Sequence, residues 1–222
     1  VCSSDLRAAS IAAPFLTMRT DSLTFELFHV EDCDGWQTLS RETAFSNPHM
    51  QVENVQMLTP SRRDKPVRWT VVQRKAAVAV APMLADGRFV LIRQERVPVQ
   101  RTLWEFPAGQ IDLPLNEVTC DAVIRTAISE LREEAGAVLA ADGVLRPMGY
   151  FLPSQGFTPE CVYLMLAQTV NIVAPPTPED SESIDAVRYV TSEELRAMVA
   201  NNELTTALTL ALYAKLVAHG LA

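Results

Sequence analysis

Three carboxylates crowd the middle of the chain: Glu130, Glu133 and Glu134, in the run Ser-Glu-Leu-Arg-Glu-Glu-Ala-Gly over 129–136. On a helix, residues three and four apart are neighbours, so all three can meet on one side. Like charges repel there, and the helix macrodipole disfavours them further near its C-terminal end. Two arrangements tolerate this: a solvated acidic face, or a divalent cation that neutralises the charge. Oxygen ligands select hard ions such as Mg2+ or Mn2+. The surrounding segment 105–136 holds seven acids against two bases, so −5 of the chain's net charge of −8 sits there. Basic residues gather upstream. Arg62, Arg63, Lys65, Arg68, Arg74 and Lys75 stand against Asp64 in 59–75, a net +5. Arg93 and Arg96 follow in the run Arg-Gln-Glu-Arg. A guanidinium fork suits phosphate oxygens. Trp69, Trp104 and Phe157 are candidates to stack on a base, although core packing is the commoner role for such residues. His49 and His219 have no partner cluster.

The elements that must position these groups are legible from periodicity. The acids lie on the best helix candidate, about 118–135, whose apolar stripe includes Ala122, Ala127, Ile128 and Leu131. Gly136 follows where a C-terminal cap prefers glycine. Before the helix, AAVAVAPML (76–84) and RFVLIRQE (88–95) flank Ala85-Asp86-Gly87, a strong hairpin signal. LWEF (103–106) reads as a short strand running into Pro107-Ala108-Gly109. Strands are also expected at 24–30, 52–58 and 67–74, with TPSRRDKP (59–66) as a turn between the last two. Further strands are expected near 145–151, 160–168 and 184–190, with an acidic, proline-rich loop at 174–183. Helices are expected from Ser192 and over Thr205 to Val217. Strands interspersed with helices indicate an α/β fold.

Composition bounds the function. The chain has 222 residues, 48% of them apolar, enough for a real core. Its acidic balance argues against general nucleic-acid or anionic-membrane binding. No apolar run approaches a membrane span. Cys2, Cys33, Cys120 and Cys161 are scattered without a CxxC pair, which fits a reducing, cytoplasmic compartment better than a zinc site or disulfide framework. Residues 1–19 read as a disordered extension, with Met18 as a natural start; 20–75 as an N-terminal strand region; 76–222 as the main domain. The strands of 45–75 have few visible partners to bury VRWTVV, and an isolated strand pair is marginal in water, which points to pairing with a second subunit.

The segment Pro-Ala-Gly-Gln-Ile-Asp (107–112), followed by Glu-Leu-Arg-Glu-Glu-Ala-Gly (130–136), resembles the Nudix box. That box is a loop–helix–loop motif that binds divalent cations and activates water against a diphosphate. Two departures stand out: Ser129 occupies the place of the family's arginine, and Gly109 to Glu130 spans 21 positions, six more than the family's spacing. The extra residues fall in LPLNEVTCD and put Asp121 where the family's first glutamate would stand, with Glu117 as the alternative. Arg125, one turn before Ser129, is a candidate to restrain Glu130 or an inserted-loop acid such as Glu117 in the absent arginine's stead. The neighbouring RFVLIRQERVPVQRTLWEFPAGQID and the downstream PSQGFTPECVYLMLAQ are similar to the ADP-ribose pyrophosphatase branch, with resemblance over roughly 45–220.

The resemblance implies a Nudix-type α/β/α sandwich with a mixed sheet and an N-terminal β-strand region used for homodimerisation. It implies that the carbonyl of Ala108 and the carboxylates of Glu130 and Glu134 hold Mg2+ or Mn2+, with Glu133 assisting. It further implies Asp180 or Glu182 as a metal-binding or water-activating carboxylate, with Glu179 a competitor. Arg68, Arg93, Arg96 and Glu105 are implied in substrate binding. The activity implied is hydrolysis of ADP-ribose, or of a related nucleoside diphosphate sugar, to a nucleoside monophosphate and a sugar phosphate. The other possibility is a non-catalytic Nudix domain that senses such a nucleotide, which Ser129 favours and the retained glutamates disfavour.

Overall fold

A computed structural model describes residues 23–178 and 183–222 of the chain. The expected extension at 1–19, Met18, and the loop acids Glu179, Asp180 and Glu182 lie outside the described residues.

The strand pattern follows from what each face must bury. Along β4 (Ala77–Leu84), Val78 and Val80 join one hydrophobic cluster, whereas Ala79 and Ala81 join another. The same alternation runs through β5 (Phe89–Arg96), with Val90 and Ile92 on one side and Phe89 and Leu91 on the other. Successive side chains of a strand point to opposite faces. A strand covered on both faces therefore reads as a continuous apolar run, as β4 does. Between the two strands, Gly87 takes a positive φ of 86° and Leu84 N–H donates to Arg88 O, closing the expected hairpin.

β4 and β5 belong to a seven-stranded mixed sheet of order β10-β5-β4-β9-β8, completed by β8 (Ala137–Phe151), β9 (Val162–Ile172) and β10 (Ile184–Val190). β4 and β9 run parallel; the other pairs are antiparallel. Two short strands complete it: β6 (Arg101–Glu105) pairs with β5, and β7 (Ala108–Gln110) pairs with β4. One face of the sheet is covered by α1 (Cys120–Glu133), through Ala122, Val123, Ile124, Ala127 and Leu131. The other is covered by α2 (Ser192–Ala200) and α3 (Ala207–Ala218), through Leu195, Met198, Leu212 and Leu216. This is the expected α/β/α sandwich. α1 starts at Thr119, whose hydroxyl accepts from Ala122 N–H at 3.2 Å. α2 starts with a capping box between Thr191 and Glu194.

A separate three-stranded sheet precedes this sandwich: β1 (Gln37–Ser46), β2 (Gln51–Thr59) and β3 (Arg62–Gln73), all antiparallel. It departs from the sequence expectation in two ways. β1 was not expected, because its residues are almost all exposed and carry no apolar alternation. The expected strand at 24–30 does not form. That segment lies outside any ladder and packs Leu23, Phe25, Leu27 and Phe28 against the α1-side core. The turn expected at 59–66 shrinks to Pro60 and Ser61, since β3 begins at Arg62.

Candidate active site

The PAG turn lies where β4 and β5 splay apart. Those strands pair directly only at Met83 and Phe89. The chain leaves β5 after Glu105, opposite Ile92, and rejoins the sheet on β4 at Ala108, opposite Ala79. Between these points Pro107 O accepts from Val80 N–H at 2.9 Å. Phe106 N–H donates to the Thr209 hydroxyl of α3 at 3.1 Å, in the buried interior. Beyond the turn, Ile111 N–H donates to Ala76 O at 2.8 Å.

Two of the three box glutamates converge on this turn. Glu134, the residue capping α1, is fully buried, and its Oε2 accepts from Ala108 N–H at 2.7 Å. Glu130 lies against Gly109 so closely that a β-carbon there would stand 1.7 Å from its Oε1. Glycine is needed at 109 for that close approach. Glu133 faces elsewhere: its Oε1 accepts from the Ser129 hydroxyl at 3.0 Å. The trio expected on one side of the helix therefore divides, with the i,i+4 pair toward the loop and Glu133 toward its own preceding turn. Among the described residues no group of three or more His, Cys, Asp or Glu side chains is gathered in metal-binding geometry. Glu130, Glu134 and the backbone of Ala108–Gly109 nonetheless fit a hard cation: two carboxylates approach one glycine-narrowed turn, and oxygen donors are what Mg2+ and Mn2+ take.

Gly136 fixes the exit of α1 with a positive φ of 60°. A β-carbon there would stand 1.9 Å from Ala174 O, so only glycine lets the acidic loop pass this close. That loop is tied to the helix end: Val173 N–H donates to Gly136 O at 2.8 Å and Thr177 N–H to Glu133 O at 2.7 Å. On its far side Ser183 O accepts from Glu95 N–H at 2.9 Å. The described flanks of the expected loop acids are thus fixed to α1 and to β5.

The basic candidates separate. Arg96 Nε donates to Glu105 Oε1 at 2.8 Å, and the Glu105 side chain is only 1% exposed. Glu105, expected at the substrate, is covered, and its carboxylate holds Arg96. Arg93 forms a two-pronged pair with Asp185 of β10 at 2.7 and 2.8 Å and lies over the Trp104 ring at 5.6 Å. The Arg93 hydrogen bonds hold the Asp185 carboxyl below its ordinary pKa. Arg68 is on the three-stranded sheet, where it lines a groove of about 450 Å³ with Glu42, Asn54 and Trp69. Trp69 and Phe157 are exposed rather than packed in a core. Arg125 pairs with Asp121, an acid of the inserted stretch other than Glu117, at 2.6 Å, one turn back. Lys75 pairs with Asp112. Asp185 and Thr209 were missed in the sequence, because a lone acid and a threonine inside an apolar helix carry no motif.

The family model for the NUDIX domain matches residues 73–209, more than half the chain. The chain belongs to the Nudix family. Its enzyme class follows from this and from its relatives: a Nudix pyrophosphatase. The chain is 27% identical over 175 residues to the ADP-ribose pyrophosphatase of Bacillus subtilis (strain 168), covering 78% of this chain and 88% of that protein. It is 27% identical over 176 residues to the ADP-ribose pyrophosphatase of Mycobacterium tuberculosis (strain ATCC 25618 / H37Rv), covering 79% and 80%. A methanol dehydrogenase activator of Bacillus methanolicus is 25% identical over 163 residues, covering 72% and 77%. Among solved structures, an ADP compounds hydrolase superposes with a TM-score of 0.64 at 18% identity, covering 87% of this chain and all of that one, which shows a shared fold. Nudix hydrolases generally use a divalent metal, and the chemistry of the Glu130–Glu134 pair suits one.

Proposed function

We propose that this Nudix enzyme hydrolyses the diphosphate of ADP-ribose or a closely related nucleoside diphosphate sugar, with Mg2+ or Mn2+ as cofactor. The observation that carries the reading is the convergence of Glu130 and Glu134 on the Ala108–Gly109 turn. The similarity to two ADP-ribose pyrophosphatases over most of the chain supports the substrate class. Glu130, Glu134 and the carbonyl of Ala108 would hold the metal. Bound there, a divalent cation neutralises diphosphate charge and lowers the pKa of water. Glu133, Asp180 or Glu182 would accept the proton as the water oxygen bonds to one phosphorus. The bridging phosphorus–oxygen bond breaks, and the other phosphate leaves with that oxygen. Arg96, set by the buried Glu105, would meet phosphate oxygens, with Arg93 and Arg68 further contacts.

In this reading residues 20–75 serve dimerisation and 76–222 form the catalytic domain. The three-stranded sheet supports a homodimer, since Trp36, Leu39, Phe45 and Trp69 all lie exposed on or beside it. Among the described residues no helix is long and apolar enough to cross a membrane. Three described cysteines are free thiols, which fits a cytoplasmic enzyme.

The test is a panel of nucleoside diphosphate sugars incubated with the protein and Mg2+, with products separated by chromatography. ADP-ribose is expected to give AMP and ribose 5-phosphate, and chelation is expected to stop the reaction. Tight nucleotide binding without turnover under any divalent metal would instead favour the sensor.

A further inference from the structure

We infer that Thr209, on the opposite face of the sheet from the Nudix helix, is a positioning residue for the metal-binding turn. This rests on reading the 106–110 segment as that turn. Phe106 is where the backbone has left β5 and not yet joined β4: the β5–β6 ladder ends at Glu105 and the β4–β7 ladder begins at Ala108. Its N–H is buried and has no strand partner across either ladder. A buried N–H without an acceptor is costly, so something must accept it. The acceptor is the Thr209 hydroxyl at 3.1 Å, 103 residues away in sequence.

Thr209 is itself fully buried, within the helix ALTLALYAKLVA that packs Leu212 and Leu216 into the core. A hydroxyl at such a position costs stability unless it is bonded. It is bonded twice, to Phe106 N–H and to the Thr206 hydroxyl at 2.8 Å. Valine would pack there with the same shape and no polar atom, so packing alone does not require threonine.

The consequence lies two and three residues on. Ala108 N–H meets Glu134, and Gly109 lies against Glu130. α1 therefore grips the turn from one side, through Ala108. α3 grips it from the other, through Phe106, while Val80 of β4 holds Pro107 between them. Without the Thr209 oxygen, Phe106 must turn to find another acceptor. The peptide planes of Pro107 and Ala108 turn with it, and the carbonyl and carboxylates lose their fixed spacing.

The experiment is Mn2+ binding to the full chain, read without turnover from the electron paramagnetic resonance signal of unbound Mn2+. Thr209→Val is expected to weaken binding about tenfold, roughly 1.4 kcal/mol, while Thr209→Ser, which keeps the hydroxyl, stays near the parent. Should the valine variant not fold, Thr209→Ala makes the same comparison with a smaller side chain. Mn2+ bound as tightly by Thr209→Val as by the parent would overturn the role. Equal weakening in the valine and serine variants would also overturn it, by showing that the site responds to any change of side chain whether or not the hydroxyl is kept. An unsubstituted chain that binds no Mn2+ would overturn the reading of the turn itself, and the role of Thr209 with it.

Discussion

Ser129 stands where the resemblance to the Nudix box implies an arginine, and the structure shows what its hydroxyl does: it donates to Glu133 at 3.0 Å. Arg125, one turn before Ser129, pairs with Asp121 in the first turn of α1. The hydroxyl thus restrains a box glutamate, Glu133, though without supplying charge. Ser129→Ala is expected to lower kcat about two- to tenfold, the range one hydrogen bond spans. Arg125→Ala is expected to leave kcat and the metal requirement unchanged. Steady-state kinetics over a Mg2+ titration checks both, and an impaired Arg125→Ala beside a normal Ser129→Ala would reverse the assignment. At this scale Glu130 and Glu134 were legible, because i,i+4 spacing fixes their shared face. Glu133 was not, since the same spacing links it equally to Ser129. Nor was the cover over Glu105, which depends on how Arg96 folds back across the strand pair.

Elements whose burial is one-sided or complete were readable from alternation and from caps. β4, β5, β10 and α1 lie within a residue or two of their expected limits. Where burial does not follow the ladder, the pattern misled. TFELFHV alternates like a strand, yet its aromatic side chains cover the core without joining a sheet. Phe25 meets the Tyr163 ring edge-on at 6.2 Å, and Phe28 N–H donates to the Tyr163 hydroxyl at 3.1 Å. Burial pushes that hydroxyl up to about 12, against the lowering effect of the bond from Phe28 N–H. The residues added before α1 have a related job. Asn116 accepts from Val30 N–H at 3.0 Å and donates to Val30 O at 2.8 Å, clamping the same segment. The lengthened loop thus serves the N-terminal segment, a tertiary contact across 86 residues that no local pattern encodes.

Over the whole molecule, the seven-stranded sandwich buries its apolar residues on both faces, whereas the three-stranded sheet has Val55 as its one fully buried apolar residue among those described. Its contacts with the sandwich include Trp69 Nε1 to Gly156 O at 2.8 Å and Val72 N–H to Phe157 O at 2.8 Å. A sheet this open is stable when something covers it, and a second copy is the partner proposed. Light scattering at micromolar concentration is expected to give twice the 24.5 kDa chain mass; a single-chain mass would count against the dimer. The fold class was readable because strand and helix signals interleave along the chain, but the division into two sheets rests on which edges stay unpaired, and that is decided only in three dimensions.

The central claim, that Glu130 and Glu134 form a metal site on the PAG turn, is tested most directly by Glu134→Gln. Glutamine keeps an oxygen to accept from Ala108 N–H, so the turn stays held while the charge is lost. Hydrolysis of ADP-ribose in saturating Mg2+ is the quantity to measure, with circular dichroism to verify the fold. A fall of about two orders of magnitude or more, roughly 3 kcal/mol of barrier, is expected with the fold intact. Turnover equal to the parent's in saturating Mg2+ would contradict it.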